Sequence, residues 1–227
     1  HFGHTIVDPR PALVPIRVDA LWVAELKGVT LPDVRARVLD KVGTTLLERR
    51  EALLFAHFGL TGPAILDVSR AVARAEALEG LALDLDFLPQ HASEALDQHL
   101  QSACRIGRRA VAGLLPEPIP RRLAEALLAS CKIPADRLGP DLMRAERLAL
   151  VRALKGTRLP ATGTLGFSKA EVTSGGVSLE EVNPRTLESL RQPGLHFVGE
   201  VLDLDGLIGG YNFQAAWSTG WLAGECV

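Results

Sequence analysis

The stretch "GGYNFQAAWSTGWLAG" (residues 209–224) joins two glycines and an amide side chain to two kinds of helical face. From Asn212 onward, Phe213, Trp217 and Trp221 recur every fourth residue and make one stripe. Asn212, Ala216, Thr219, Gly220 and Ala223 make a second stripe of little bulk. The spacing predicts a helix locked to its neighbours by both stripes, the small one admitting close approach of another backbone. The front end supports a second reading. Glycines let a backbone fold close to a ligand, and a helix N-terminus offers unpaired N–H groups and about half a positive charge. An electron-rich group suits that position.

Upstream, "GLHFVGE" (194–200) reads as a short buried strand between glycines, ending in Gly199 and the acid Glu200. "KAEVTSGGVSLEEVNP" (169–184) reads as a strand, a Gly-Gly turn and a second strand. Between 93 and 156, "ASEALDQHLQSACRI", "PRRLAEALLASC" and "PDLMRAERLALVRALKG" show three-and-four spacing broken by prolines and glycines, which predicts a small helical cluster. "TRLPATGTLGF" (157–167) returns to extended structure. Residues 10–56 are β-rich. Val34, Ala36 and Val38 alternate with Arg35 and Arg37, and "TTLLERREALLFAHFG" (44–59) suggests two strands about a tight reversal. Thr61 or Gly62 caps a helix with Pro63 in its first turn, ending before Gly80. "LALDLDF" (81–87) alternates again, with Leu81, Leu83, Leu85 and Phe87 opposite Asp84 and Asp86.

A chain of 227 residues, 47% hydrophobic and 23% charged, can bury a sizeable core. Its 25 basic and 27 acidic residues advertise neither a nucleic-acid surface nor a polybasic membrane patch. No apolar run reaches the roughly 20 residues of a membrane span. Cys104, Cys131 and Cys226 stand far apart, which argues against a disulfide framework or zinc site and fits a reducing cytoplasm. The first residue is His1 rather than Met, and "HFGHTIVDP" reads like the tail of a helix entering a strand, so the chain is expected to begin inside a larger protein.

No G-x-S-x-G, Walker A, H-E-x-x-H or G-x-G-x-x-G motif is present. His1 and His4 have a spacing a metal could use but no carboxylate pair nearby, and no metal is expected. His57, in "LLFAHFGLTGPAI", is either a polar residue of a strand-to-helix turn or a proton donor beside a ligand. Thr173, Ser174, Gly175 and Gly176 fall at a strand end, where α/β proteins place ligands. Glu200, Asp203 and Asp205 read either as solvated loop acids or as part of such a site.

"FAHFGLTGPAILDVS", "EVTSGGVSLEEVNPRTLES" and "PGLHFVGEVLDLDGLIGGYNFQAAWSTGWLAG" together resemble a bacterial family of FAD-dependent oxidoreductases that includes aminoacetone oxidases and flavoproteins reducing bile-acid ring double bonds. The resemblance runs in order along essentially the whole chain. It implies a mixed α/β and α+β fold: the C-terminal part of a Rossmann-like FAD domain with a β-barrel-like insert and a small helical insert. Residues 1–9 would be a remnant of the FAD domain, 10–90 with 157–168 the β-rich insert, 91–156 the helical insert, and 169–227 the end of the FAD domain. The family's N-terminal half, with its G-x-G-x-x-G turn, is absent.

Carried over, Thr173 to Gly176 would border the isoalloxazine, Gly199 and Glu200 the ribityl and pyrophosphate region, and Gly210, Tyr211, Asn212 and Phe213 would offer N–H groups to flavin N1 and C2=O. Ile208 departs from the small polar residue of many relatives. The expected parent is a cytoplasmic oxidoreductase passing a hydride between a small organic substrate and FAD, with a nicotinamide cofactor or oxygen completing the cycle. His57 would be a substrate-side contact. The expected partners are that substrate and the missing N-terminal half, with neither nucleic acid nor membrane. One alternative is a non-catalytic module without a cofactor. Another, an RNA-modifying flavoprotein, predicts a basic stripe that the balanced charge does not supply.

Overall fold

A computed structural model describes residues 2–227, so His1 of the histidine pair lies outside the described residues. The chain runs β1 (Ile6–Ala12), β2 (Ile16–Val18), α1 (Leu21–Glu25), β3 (Thr30–Leu39), β4 (Thr45–Ala56), β5 (Gly59–Thr61), α2 (Pro63–Ala73) and β6 (Ala82–Asp86). It continues through α3 (Ser93–Ala103), α4 (Arg121–Ser130), α5 (Arg144–Lys155), β7 (Thr157–Thr164), β8 (Val172–Val177) and α6 (Tyr211–Gly224).

The alternation in β3 does what period-2 patterning requires: Val34, Ala36 and Val38 are fully buried while Arg35 and Arg37 are only half-buried. Six antiparallel strands close a barrel in the order β2-β5-β4-β3-β6-β7. Closure leaves no unpaired sheet edge. Phe55, Leu60, Leu83, Leu85 and Phe87 form its core with Ile65 and Val68 of α2. Helices α3 to α5, inserted between β6 and β7, join the same core through Leu96, Leu100, Leu127, Leu150 and Leu154.

Asp84 and Asp86 do not face water as the alternation suggests; both are buried. Arg37 pairs with Asp84, and Lys155 of α5 reaches Asp86 at 2.7 Å while donating to the Leu88 and His91 carbonyls. Paired charges on both sides make that burial tolerable.

Three local expectations are corrected. Within residues 44–59, Thr45–Ala56 form one continuous strand, β4, and the reversal falls only at its end, at His57–Phe58, leading into the short β5 that begins at Gly59. The "VTSGGVS" segment is not strand-turn-strand: β8 runs straight through both glycines and pairs with β1, Val7 opposite Gly176 and Arg10 opposite Ser174. A side chain at Gly175 would sit 2.7 Å from the Asp8 carbonyl oxygen, and one at Gly176 would collide with that of Val201. The glycines therefore admit backbone on both sides of the strand. "GLHFVGE" forms no strand; His196 makes a single bridge to Glu188 and Gly199–Val201 is a 3-10 turn, since no strand among the described residues lies alongside to pair with it.

The chain leaves the β1–β8 pair at Leu13 and returns at Val172, so in chain order the barrel and helices are inserted between two strands that pair directly with each other. Around the sheet a second core gathers Val177, Val182, Leu187, Leu202 and Ala223. No helix of the described residues is long and apolar enough to cross a membrane.

Candidate functional site

Two helices converge on the segment 203–210. On α2 and its C-cap, Asp67, Arg70 and Arg74 stand at i, i+3 and i+7, along one face. The Asp67 carboxylate accepts the Ile208 N–H at 2.8 Å. Arg70 donates to the Gly206 carbonyl at 3.2 Å and lies 3.3 Å from the Asp205 carboxylate. Arg74 approaches the other Asp205 oxygen at 3.7 Å and donates to the Ser174 hydroxyl. The side chains of Asp67 and Asp205 are only 4% and 7% exposed, so their charges depend on these arginines and on Arg49, 3.9 Å from Asp67. From α6, Asn212 accepts the Gly206 N–H at 2.8 Å and returns an N–H to its carbonyl at 3.2 Å. Gly206 is held from both sides.

Beside this pinned loop lies a cavity of about 440 Å³, lined among others by Glu200, Leu204, Ile208, Gly210, Asn212 and Phe213. Gly210 has φ +92°, and a side chain there would meet nothing within 4 Å, so the space before α6 is open. The first intrahelical bond is that of the Gln214 N–H to the Gly210 carbonyl, at 2.9 Å. Among the described residues, the N–H groups of Tyr211, Asn212 and Phe213 have no protein acceptor. They form a fixed set of donors at the positive end of a 14-residue helix. The opposite wall is held by Glu200, whose carboxylate accepts the Thr173 N–H. Gly199 donates to Thr219 Oγ1 at 2.9 Å, and that hydroxyl donates in turn to the Ala215 carbonyl at 2.7 Å.

Of the residues singled out in the sequence, Gly199, Glu200, Gly210, Asn212 and Phe213 line this cavity, and Thr173 adjoins it through Glu200. Ser174 is buried against Arg74, Gly175 and Gly176 pack against backbone, and Tyr211 covers Gly206 and Gly209. His57 is exposed in the β4–β5 turn, edge-on to Phe58, and does not line the cavity. His4 bonds to the Ser189 hydroxyl at 2.7 Å and packs edge-on to Phe197. The small stripe of α6 locks the helix, with Ala216 against Gly199, together with Leu222, which packs on the second core. The expectation that the aromatic stripe does the same is corrected: Phe213, Trp217 and Trp221 are 77%, 77% and 74% exposed.

The barrel and helices match, over residues 10–172, a family model described as the HI0933-like protein barrel and H2TH domain. The chain belongs to the HI0933-like family. It is 36% identical over 231 residues to a ribosomal RNA dihydrouridine synthase of Escherichia coli K12, covering 99% of this chain and 53% of that protein. It is 34% identical to a 3-dehydro-bile acid delta(4,6)-reductase of Clostridium scindens, covering 98% and 54%. A ribosomal RNA dihydrouridine synthase of Haemophilus influenzae is 32% identical, with 97% and 52% covered. This HI0933-like chain thus spans about half the length of the curated relatives it matches.

Proposed function

We propose that this chain supplies one wall of the flavin site of an FAD-dependent reductase that adds hydrogen across an activated carbon–carbon double bond. The observation that carries the reading is the row of unpaired N–H groups at the start of α6, opening onto the cavity beside Gly210. When bound, FAD would supply the hydride chemistry. The chain's own part is electrostatic and positional. The N–H groups of Tyr211, Asn212 and Phe213 are aimed where an electron-rich ring edge would gather negative charge, and they need no reorganisation to meet it. Asn212 spends its side chain on Gly206 and so acts as a positioning residue for the loop. Asp67 and Arg70 hold that loop from the barrel side.

Both kinds of relative support the reaction type. A dihydrouridine synthase and a delta(4,6)-reductase are each named for hydrogen gained at a double bond. In this reading β1, β8 and α6 belong to a Rossmann-like FAD domain. Its remainder corresponds to the part of the relatives that this chain does not span, and it lies over Phe213, Trp217 and Trp221. The test is a visible absorption spectrum after incubation with excess FAD and gel filtration. The 227-residue chain is expected to retain little flavin, and a longer form carrying the rest of the site one flavin per chain. A colourless long form would refute the reading and favour a module without a cofactor.

A further inference from the structure

The helical unit takes no part in the site just described, and its charge differs from that of the rest of the molecule. Residues 91–156 carry eleven basic and seven acidic side chains, against 25 and 27 in the whole chain. The even overall balance therefore conceals a local excess of positive charge, with the surplus acids elsewhere. Four of the eleven are matched by carboxylates: Arg121 by Glu125 at 2.8 Å, Arg137 by Glu146 at 3.2 Å, Arg147 by Asp97 at 2.6 Å and Lys155 by Asp86 at 2.7 Å. Arg122 turns to the backbone carbonyls of Glu25 and Lys27. Arg105, Arg108, Arg109, Lys132, Arg144 and Arg152 are exposed, and among the described residues none has a carboxylate within 4.0 Å.

Three of these six stand in the loop "RIGRR" (105–109), between α3 and α4, with Ile106 73% exposed beside them. The loop is fixed to the segment leading into α5. The Gly139 N–H donates to the Arg109 carbonyl and the Val111 N–H to the Arg137 carbonyl, each at 2.9 Å. Arg105 and Arg147 border one small pocket, which places the loop against the start of α5. The acids on that neighbouring segment are Asp136, Asp141 and Glu146, of which Glu146 is taken by Arg137. Arg109 also donates to the Gly113 carbonyl at 3.2 Å, so three guanidinium groups stand on a braced loop without acidic partners, and Arg105 and Arg108 have no protein acceptor among the described residues.

We propose that loop 105–109, with residues 137–144 beside it, binds the phosphodiester backbone of a folded RNA. Arginine forks match phosphate oxygens two at a time, and a row of them on a rigid support gains affinity by releasing counterions from a polyanion. A membrane surface is a poorer fit: the charges sit on a short loop with one exposed apolar side chain, whereas membrane-surface helices carry a broad apolar face. The proposal rests on the reductase reading only in what it adds to it. It makes the reduced double bond that of an RNA base, the chemistry for which two of the relatives are named.

The test is fluorescence anisotropy of a labelled RNA stem–loop titrated with the 227-residue chain across a salt series, alongside R105Q/R108Q/R109Q and the α4 variant Arg121→Gln. The wild type is expected to bind with a steep salt dependence. The triple variant should bind about tenfold or more weakly at low salt. Its log–log slope should fall by about 2, near 0.7 to 0.9 for each phosphate no longer neutralised. Arg121→Gln should bind as the wild type does, and all three should melt alike. Wild-type affinity in the triple variant overturns the proposal. So does a wild type that ignores the RNA, or one that binds phosphatidylglycerol vesicles in its place. Because the readout is binding without turnover, a colourless long form that still binds RNA through these arginines removes the flavin reading alone.

Discussion

The barrel with its helices and the small C-terminal unit are built to opposite standards. The barrel closes on itself, and its core runs unbroken from Ile16 in β2 through Phe55, Leu85 and Leu127 to Ala161 in β7. The C-terminal unit has a two-stranded sheet, a core cluster of five apolar residues and an aromatic helix face open to solvent. Two strands alone are marginal in water, so the order of this unit comes from what it leans on. On the described surface that support is α2, through Asp67, Arg70 and Arg74. The region with the larger core carries the stability, and the region with open valences carries the candidate ligand site. This fits the general rule that binding loops are drawn from the less stable parts of a fold.

Breaking the barrel should cost most. Phe55→Ala removes a side chain 1% exposed, packed beside Trp22 and Phe87, and should destabilise the fold by about 4 kcal/mol. The check is urea unfolding followed by Trp22 fluorescence in a W217F/W221F background, where it is the only remaining tryptophan of three. A midpoint unchanged by the substitution would deny the barrel its place as the main core. Next in size is Arg70→Met, which leaves the Asp205 carboxylate with only the longer contact to Arg74. It should cost about 3 kcal/mol, felt locally. Amide exchange in residues 203–216 should quicken while β3 and β4 keep their protection. Equal loss of protection in both regions would mean that the two do not separate.

Smaller again is Asn212→Ala, which removes the hydrogen bonds to Gly206 and should cost about 1–2 kcal/mol. If the proposed site is real, flavin retention by the long form falls about tenfold for every 1.4 kcal/mol, while the barrel transition stays in place. Unaltered retention would reduce Asn212 to a structural cap.

The two regions also differ in how far the sequence discloses them. In the barrel, alternation in "VRARV" and three-and-four spacing in the helices express burial within each element, so β3, β6 and α3 to α5 are legible. The paired glycines of β8 are not, because a Gly-Gly dipeptide reads as a turn until the Asp8 and Val201 backbones are seen on either side. The front of α6 is legible, since Gly210 and the free N–H groups follow from local geometry alone. The network that holds it is not. Asp67, Arg70 and Arg74 leave a visible trace as a charged stripe on an otherwise apolar helix, yet Ile208 lies 141 residues beyond Asp67 and nothing local couples them. The exposure of the aromatic stripe is equally hidden, because a periodic apolar face states that a helix seeks a partner and not whether one is present.

The smallest effect is a difference in acid response. Glu181, in the C-terminal unit, accepts the N–H and the hydroxyl of Thr5 at 2.8 Å each and pairs with Arg191 at 2.5 Å. The two Thr5 hydrogen bonds chiefly, and then Arg191, push its carboxyl down from the ordinary 4.5 to about 2. A depressed carboxylate contributes stability that is complete above its unfolded value and is lost as pH falls through the folded one. The tie between residue 5 and residue 181 should therefore hold at neutral pH and weaken between about pH 4.5 and pH 2. Glu181→Gln cannot titrate, so it should be weaker than the wild type at neutral pH and flatter across that window. In the helical unit Asp97 is likewise held below its usual range, chiefly by its hydrogen bond from Arg147. Asp97→Asn should alter the acid response of the α3–α5 amides and leave residues 2–12 untouched. Hydrogen exchange at several pH values reads both. If each substitution moved both regions together, the molecule would be a single cooperative unit, and the open face of α6 would have to be explained without a weaker domain behind it.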